Sequence, residues 1–136
     1  MKALYPPLSY ALFIAIGVVA LSMIMVVINT FTDGIQRNYA YNQLDYAAEV
    51  IKDDILKLYS TNAEGRIDVD APTEIAGKQY MIELNQNNLT LSLYVGNKLL
   101  EVNRSINIDA SLSGRSYAPV SVEINKSNGD IFIRLV

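Results

Sequence analysis

Residues 6–28 read PPLSYALFIAIGVVALSMIMVVI, and no charged residue lies between Lys2 and Asp33. As a helix, an uninterrupted apolar run of about twenty residues matches the roughly 30 Å hydrocarbon thickness of a bilayer. A helix packed in a small soluble domain keeps one polar face, whereas this run is apolar all round. Each Leu, Ile, Phe or Val near the bilayer centre favours insertion by roughly 0.3–0.6 kcal/mol. Only Ser9, Tyr10 and Ser22 stand against them, and these are small or interfacial. The run reads as a membrane-type helix. Pro6 and Pro7 suit its first turn, where the missing N–H groups have no intrahelical acceptor. A secretory signal peptide has a shorter apolar core, about 7–15 residues, and a small-x-small cleavage site. Asn29-Thr30-Phe31-Thr32 is a poor match to such a site, so the run is expected to be retained.

Thr32-Asp33-Gly34 is the first polar break after the run. Asp33 can cap a new helix and Gly34 can permit a bend. A continuous helix is equally open, with Gly costing about 1 kcal/mol. Beyond the break the pattern becomes periodic. Tyr41, Leu44, Ala48, Ile51, Ile55 and Leu58 recur at spacings of three and four, and Ala47 joins them. Asp45, Glu49, Lys52, Asp53, Asp54 and Lys57 fall largely off that stripe. This predicts an amphipathic helix to about Tyr59, stopped by Asn62-Ala63-Glu64-Gly65. An unbroken helix from Leu8 would be roughly 75 Å long at 1.5 Å per residue, less than half of it within a bilayer.

From Arg66 the period switches to two. Tyr80, Ile82 and Leu84 alternate with Gln79, Met81 and Glu83, and Leu89, Leu91, Leu93 and Val95 alternate with Thr90, Ser92 and Tyr94; Val120, Val122 and Ile124 then face one way, and Ile131, Ile133 and Leu135 return. Gln86-Asn87-Asn88, Gly96-Asn97 and Lys126-Ser127-Asn128-Gly129 carry turn signals between them. Leu100, Val102, Ile106 and Ile108 share one parity, and Arg104 interrupts it, which predicts a bulge or break near Asn103. Ala110 to Ser116, small residues around Gly114, read as a loop. The expected fold is α+β: a long N-terminal membrane-type helix continues as an amphipathic helix packed on a small antiparallel sheet of about five strands. The division is residues 1–32 for leader and apolar helix, 33–65 for the amphipathic helix and 66–136 for the β domain. Leu91, Leu93, Ile82 and Val122 are expected to pack against Leu44, Ile51 and Ile55.

The chain has 136 residues, a formal net charge of −3, no Cys and no His. Disulfides, thiolate chemistry and imidazole catalysis are excluded, and nucleic acid is not an expected partner. Asp53 and Asp54 diverge by about 100° on a helix, a poor arrangement for acid–base work. Asp68 and Asp70 share a face if Arg66 to Asp70 is a strand, but the other ligands of a calcium loop are missing. There is no G-x-S-x-G, P-loop or Gly-rich nucleotide turn. No catalytic residue, metal or cofactor is expected. Tyr39, Tyr41, Tyr46 and Tyr59 make the projecting helix aromatic; at least two are expected to pack on the sheet or at a membrane interface, the others being free for contact between subunits. Three sequons occur beyond the apolar run, at Asn88, Asn103 and Asn125, and suit a glycan-bearing exported surface. Within the run, Ala11, Ala15 and Gly17 are small positions that can admit a neighbouring helix backbone, Ala11 and Ala15 lying on one face.

A very short basic leader, a long uncharged helix, an amphipathic continuation and a small C-terminal β domain resemble type IV pilins. Lys2-Ala3 before Leu4 resembles the motif at which a prepilin peptidase cuts. Bacterial pilins carry Glu at the fifth mature position, which here is Leu8, so the resemblance is nearer to archaeal pilins and archaellin-related proteins. It implies a structural subunit, major or minor, of an archaeal type IV pilus-like filament, with apolar helices bundled in the core and β domains outside. The implied partners are further copies or related pilins, the membrane before assembly, the prepilin peptidase and an assembly machinery. A different class of function is a single-pass membrane-anchored extracellular binding module that never polymerises, such as an archaellum accessory or surface-layer-binding protein. Lys2 and the amino terminus mark the cytoplasmic side, which puts the C-terminal domain outside. If the leader is cut, N-terminal peptide mapping of the membrane fraction will find Leu4 first, and replacing Lys2 or Ala3 with a bulky acid will abolish that terminus.

Overall fold

The fold is that of a computed structural model, which describes residues 6–61 and 63–136. They form two compact units that divide between Gln36 and Arg37. One helix, α1 (Pro6–Thr61), supplies all the structure described in the first unit and the start of the second. It runs through Asp33 and Gly34 without interruption, so Asp33 caps nothing. A cost of about 1 kcal/mol for one glycine is small against the hydrogen bonds of the turns on either side.

In the second unit α1 buries Ala40, Leu44, Ala47, Ala48, Ile51, Ile55 and Leu58. Ala40, not Tyr41, begins the stripe: Ala40 lies one turn before Leu44 and is fully buried, whereas Tyr41 is exposed. Seven strands follow: β1 (Gly65–Asp68), β2 (Met81–Asn85), β3 (Asn88–Val95), β4 (Lys98–Ser105), β5 (Ser111–Tyr117), β6 (Ser121–Ser127) and β7 (Asp130–Leu135). They form one sheet in the order β1-β6-β7-β5-β2-β3-β4. The expected five-stranded antiparallel meander is thereby corrected. Five neighbouring pairs are antiparallel, and β5 and β7 are parallel, with Leu112 opposite Ile133.

The stretch Ala110 to Ser116, expected as a loop, is largely strand β5. It lacked an apolar alternation because Gly114 and Ser116 occupy inward positions beside Leu84 and Ile82 of β2. Gly114 is required there. Its φ is +134°, and a Cβ would sit 2.8 Å from the Leu135 amide nitrogen and 2.9 Å from the Leu135 Cβ. The missing side chain makes room for β7.

Inward residues of the sheet and the helix stripe form one apolar core. Ile82, Leu91, Leu93 and Val122 are all buried in it, together with Leu44, Ile51 and Ile55, as their alternation predicts. The bulge expected at Asn103 does not occur. Strand β4 pairs with β3 residue for residue from Lys98 to Ser105, and Arg104 keeps its inward position opposite Leu89. Its guanidinium reaches the helix rim, where Nη2 donates to Asp45 and Nε donates to Glu49 at 3.2 Å. Asp45 and Glu49 are one helical turn apart, so one cation bridges both. An apparent break in the strand pattern is the polar edge of the core.

Two outcomes follow from these contacts. Gly114→Ala combines backbone strain with a clash against Leu135, and about 2–5 kcal/mol of stability should be lost in urea unfolding. Tyr80 is fully buried and its hydroxyl donates to the Pro72 carbonyl at 2.6 Å. Burial disfavours the phenolate and pushes its pKa from 10.0 up to about 12. A raised folded-state pKa gives stability that is complete below about pH 10 and is lost as pH rises through about 12. Tyr80→Phe should cost about 1 kcal/mol at pH 7. Because two pKa units correspond to about 2.7 kcal/mol, the gap between variant and wild type should then close and reverse across that alkaline window, as followed by near-UV circular dichroism.

Candidate functional site

The large surface that calls for a partner lies in the first unit. From Leu8 to Ile35 the helix is exposed on every face, including Leu12, Phe13, Ile14, Met25, Val27 and Phe31. It is long and apolar enough to cross a membrane. Two of its hydroxyls, those of Ser22 and Thr30, are compatible with a dry setting. Ser22 Oγ donates to the Val18 carbonyl and Thr30 Oγ1 to the Val26 carbonyl, each at 2.8 Å. Both groups are satisfied within the helix, which removes most of the cost of placing a hydroxyl in hydrocarbon.

Of the small residues in this helix, Ala11 and Ala15 are one turn apart and share a face. Gly17 does not join them: two residues beyond Ala15 it has rotated by about 200°, onto the opposite side. The three small positions expected for assembly thus lie on two faces of the helix. Gly17 is not needed by its own chain either. Its φ is not positive, and a Cβ there would meet nothing within 4 Å. The leader residues Lys2, Ala3 and Leu4 lie outside the described residues.

All three sequon asparagines, Asn88, Asn103 and Asn125, are exposed in the second unit. Two of the sequons are paired in register, Asn88 opposite Ser105 and Thr90 opposite Asn103. Thr90 Oγ1 donates to Asn103 Oδ1 at 3.1 Å. Of the four tyrosines expected on the projecting helix, only Tyr59 packs against the core. Tyr39, Tyr41 and Tyr46 are exposed, and Tyr39 accepts a hydrogen bond from Gln43 at 2.7 Å. Tyr39, Tyr41 and Tyr46 lie to either side of the Ala40-Leu44-Ala47 line, so the sheet takes up one tyrosine of the four.

Strand β1 ends at Asp68, so Asp68 and Asp70 are not successive residues of one strand face. Asp68 instead accepts from Ser121 Oγ at 2.6 Å, and Ser121 accepts from Arg66 at 3.0 Å. That chain of bonds fastens β1 to β6. Among the described residues no group of three carboxylates is placed to hold a metal. Arg104 is the interaction that periodicity missed; a lone inward cation in a strand, with acidic residues at i and i+4 on a preceding helix, was its available signal.

A family model matches residues 1–136, the whole length of the chain. The chain belongs to DUF7266. This is described as a family of unknown function. No curated protein and no solved structure matches the chain. The DUF7266 fold thus rests on its own geometry: a long apolar N-terminal helix, which fits a pilin-like architecture, followed by a mixed sheet.

Proposed function

We propose that this DUF7266 protein is a structural subunit, major or minor, of an extracellular archaeal type IV pilus-like filament. One observation carries the reading: the apolar part of α1 is exposed on every face and continuous with the part that anchors the β domain. Before assembly the apolar segment lies in the cell membrane as a single span, with the C-terminal domain outside. On assembly the segments leave the bilayer and pack against one another. Such packing has little hydrophobic drive, since lipid tails are as apolar as the side chains, and depends on close approach at small residues. Ala11 and Ala15 offer one such face and Gly17 another. Two faces suit a subunit that touches more than one neighbour, as a helical array requires. The partners are further copies or related pilins, and a prepilin peptidase acts at Lys2-Ala3-Leu4.

Gly17 favours this reading over a lone anchor. An anchor gains nothing from glycine, which costs about 1 kcal/mol in a helix interior. The test is Ala15→Leu and Gly17→Leu, one on each face. Both keep the segment apolar, so the membrane-bound pool should persist. Filament recovered by shearing and examined by electron microscopy and mass spectrometry should fall sharply in each. If wild-type cells yield no polymer containing this chain, or if neither change affects assembly, the chain is a membrane-anchored binding module.

A further inference from the structure

We propose that the solvent face of the sheet carries a binding slot for a single neutral sugar ring, between Tyr94 and Tyr117. The inference does not rest on the filament reading. The two tyrosines point away from the core and are 63% and 60% exposed. An isolated exposed aromatic is ordinary, but these two border one cavity of about 160 Å³. Register fixes the arrangement. Tyr117 of β5 is opposite Met81 of β2, and Met81 is opposite Ser92 of β3. Tyr94 lies two residues beyond Ser92, on the same face. Half-buried Met81 and Ser92 therefore separate the two rings, and Lys78, Gln79 and Leu93 complete the lining.

The chemistry of that lining selects among ligands. No carboxylate lines the slot and an ammonium does, so a cation is disfavoured despite the two aromatic rings. Lys78, the one cation in the lining, is exposed and donates to the Tyr94 carbonyl at 3.2 Å, so its solvent-screened charge alone gives a free anion little hold. It nevertheless keeps further N–H donors. Gln79 donates to the Ala118 carbonyl at 3.3 Å, which holds its side chain in place and leaves its amide oxygen as an acceptor. Ser92 adds a hydroxyl. A purely apolar ligand would strip water from three polar side chains and return no hydrogen bond. A pyranose matches both parts: its C–H face stacks on a tyrosine, and its hydroxyls meet the amide, hydroxyl and ammonium. The slot is sized for one ring and not for a folded partner. Because it is built on paired strands, little ordering is needed on binding.

The full chain in lipid nanodiscs is to be probed by saturation-transfer-difference NMR with maltotriose, cellotriose and chitotriose at millimolar concentration. At least one should receive saturation on its ring protons. Tyr94→Ala and Tyr117→Ala should each weaken that binding about tenfold, in line with the loss of one aromatic stacking contact. Tyr94→Phe, which keeps the ring, should retain it, and Tyr39→Ala, on the helix, should have no effect. Both alanine variants alter exposed side chains, and an unchanged circular dichroism melt will show that the fold is intact. Transfer to none of the three sugars overturns the proposal. So does equal binding by the alanine variants and wild type, or transfer to p-cresol but to no sugar.

Discussion

Burial of the Ala40-to-Leu58 stripe against the inner face of the sheet is the contact on which the C-terminal unit depends. Leu44, Ile51 and Ile55 are each wholly removed from water, and each such burial stabilises by roughly 1.5–3 kcal/mol. The alanines at 40, 47 and 48 matter in a different way. They keep the helix surface low between the large residues, and Ile82, Leu91 and Val122 of the sheet belong to the same buried cluster. Arg104 closes one rim of this interface with Asp45 and Glu49. These side chains are partly exposed, so their value lies in fixing the helix over β4 more than in net energy.

The same helix shows two surface chemistries along its length. Before Gln36 its side chains have no core to enter; after Arg37 one stripe is buried and the remainder is largely polar. Backbone hydrogen bonds within a helix need no solvent, which is why one element can serve lipid, protein and water in turn. Ser22 and Thr30 extend that self-sufficiency to their hydroxyls.

Most of this architecture is legible in the chain as residues. The apolar run, the three-and-four spacing from Leu44 to Leu58, and the alternation in β2, β3, β6 and β7 each carry their own period. The hairpin turns at Gly96-Asn97 and Asn128-Gly129 also announce themselves. What was hidden has a common cause: residues whose choice answers a distant neighbour. Gly114 is small because Leu135 passes over it, and β5 consequently loses its strand pattern. Arg104 faces inward because two carboxylates await it on the helix. The slot between Tyr94 and Tyr117 joins residues of different strands whose adjacency depends on strand order, which local periodicity does not encode.

Strand order also sets a sequence in time. Strand β7, the last in the chain, lies between β6 and β5, and it alone joins β1-β6 to β5-β2-β3-β4. Until Asp130 to Leu135 are in place, the sheet is two separate pieces with open edges at β5 and β6. Those edges are the ones a nascent domain must shield from mispairing. Closure of the sheet thus waits on six residues, and the domain acquires its continuous form only once they are seated between β6 and β5.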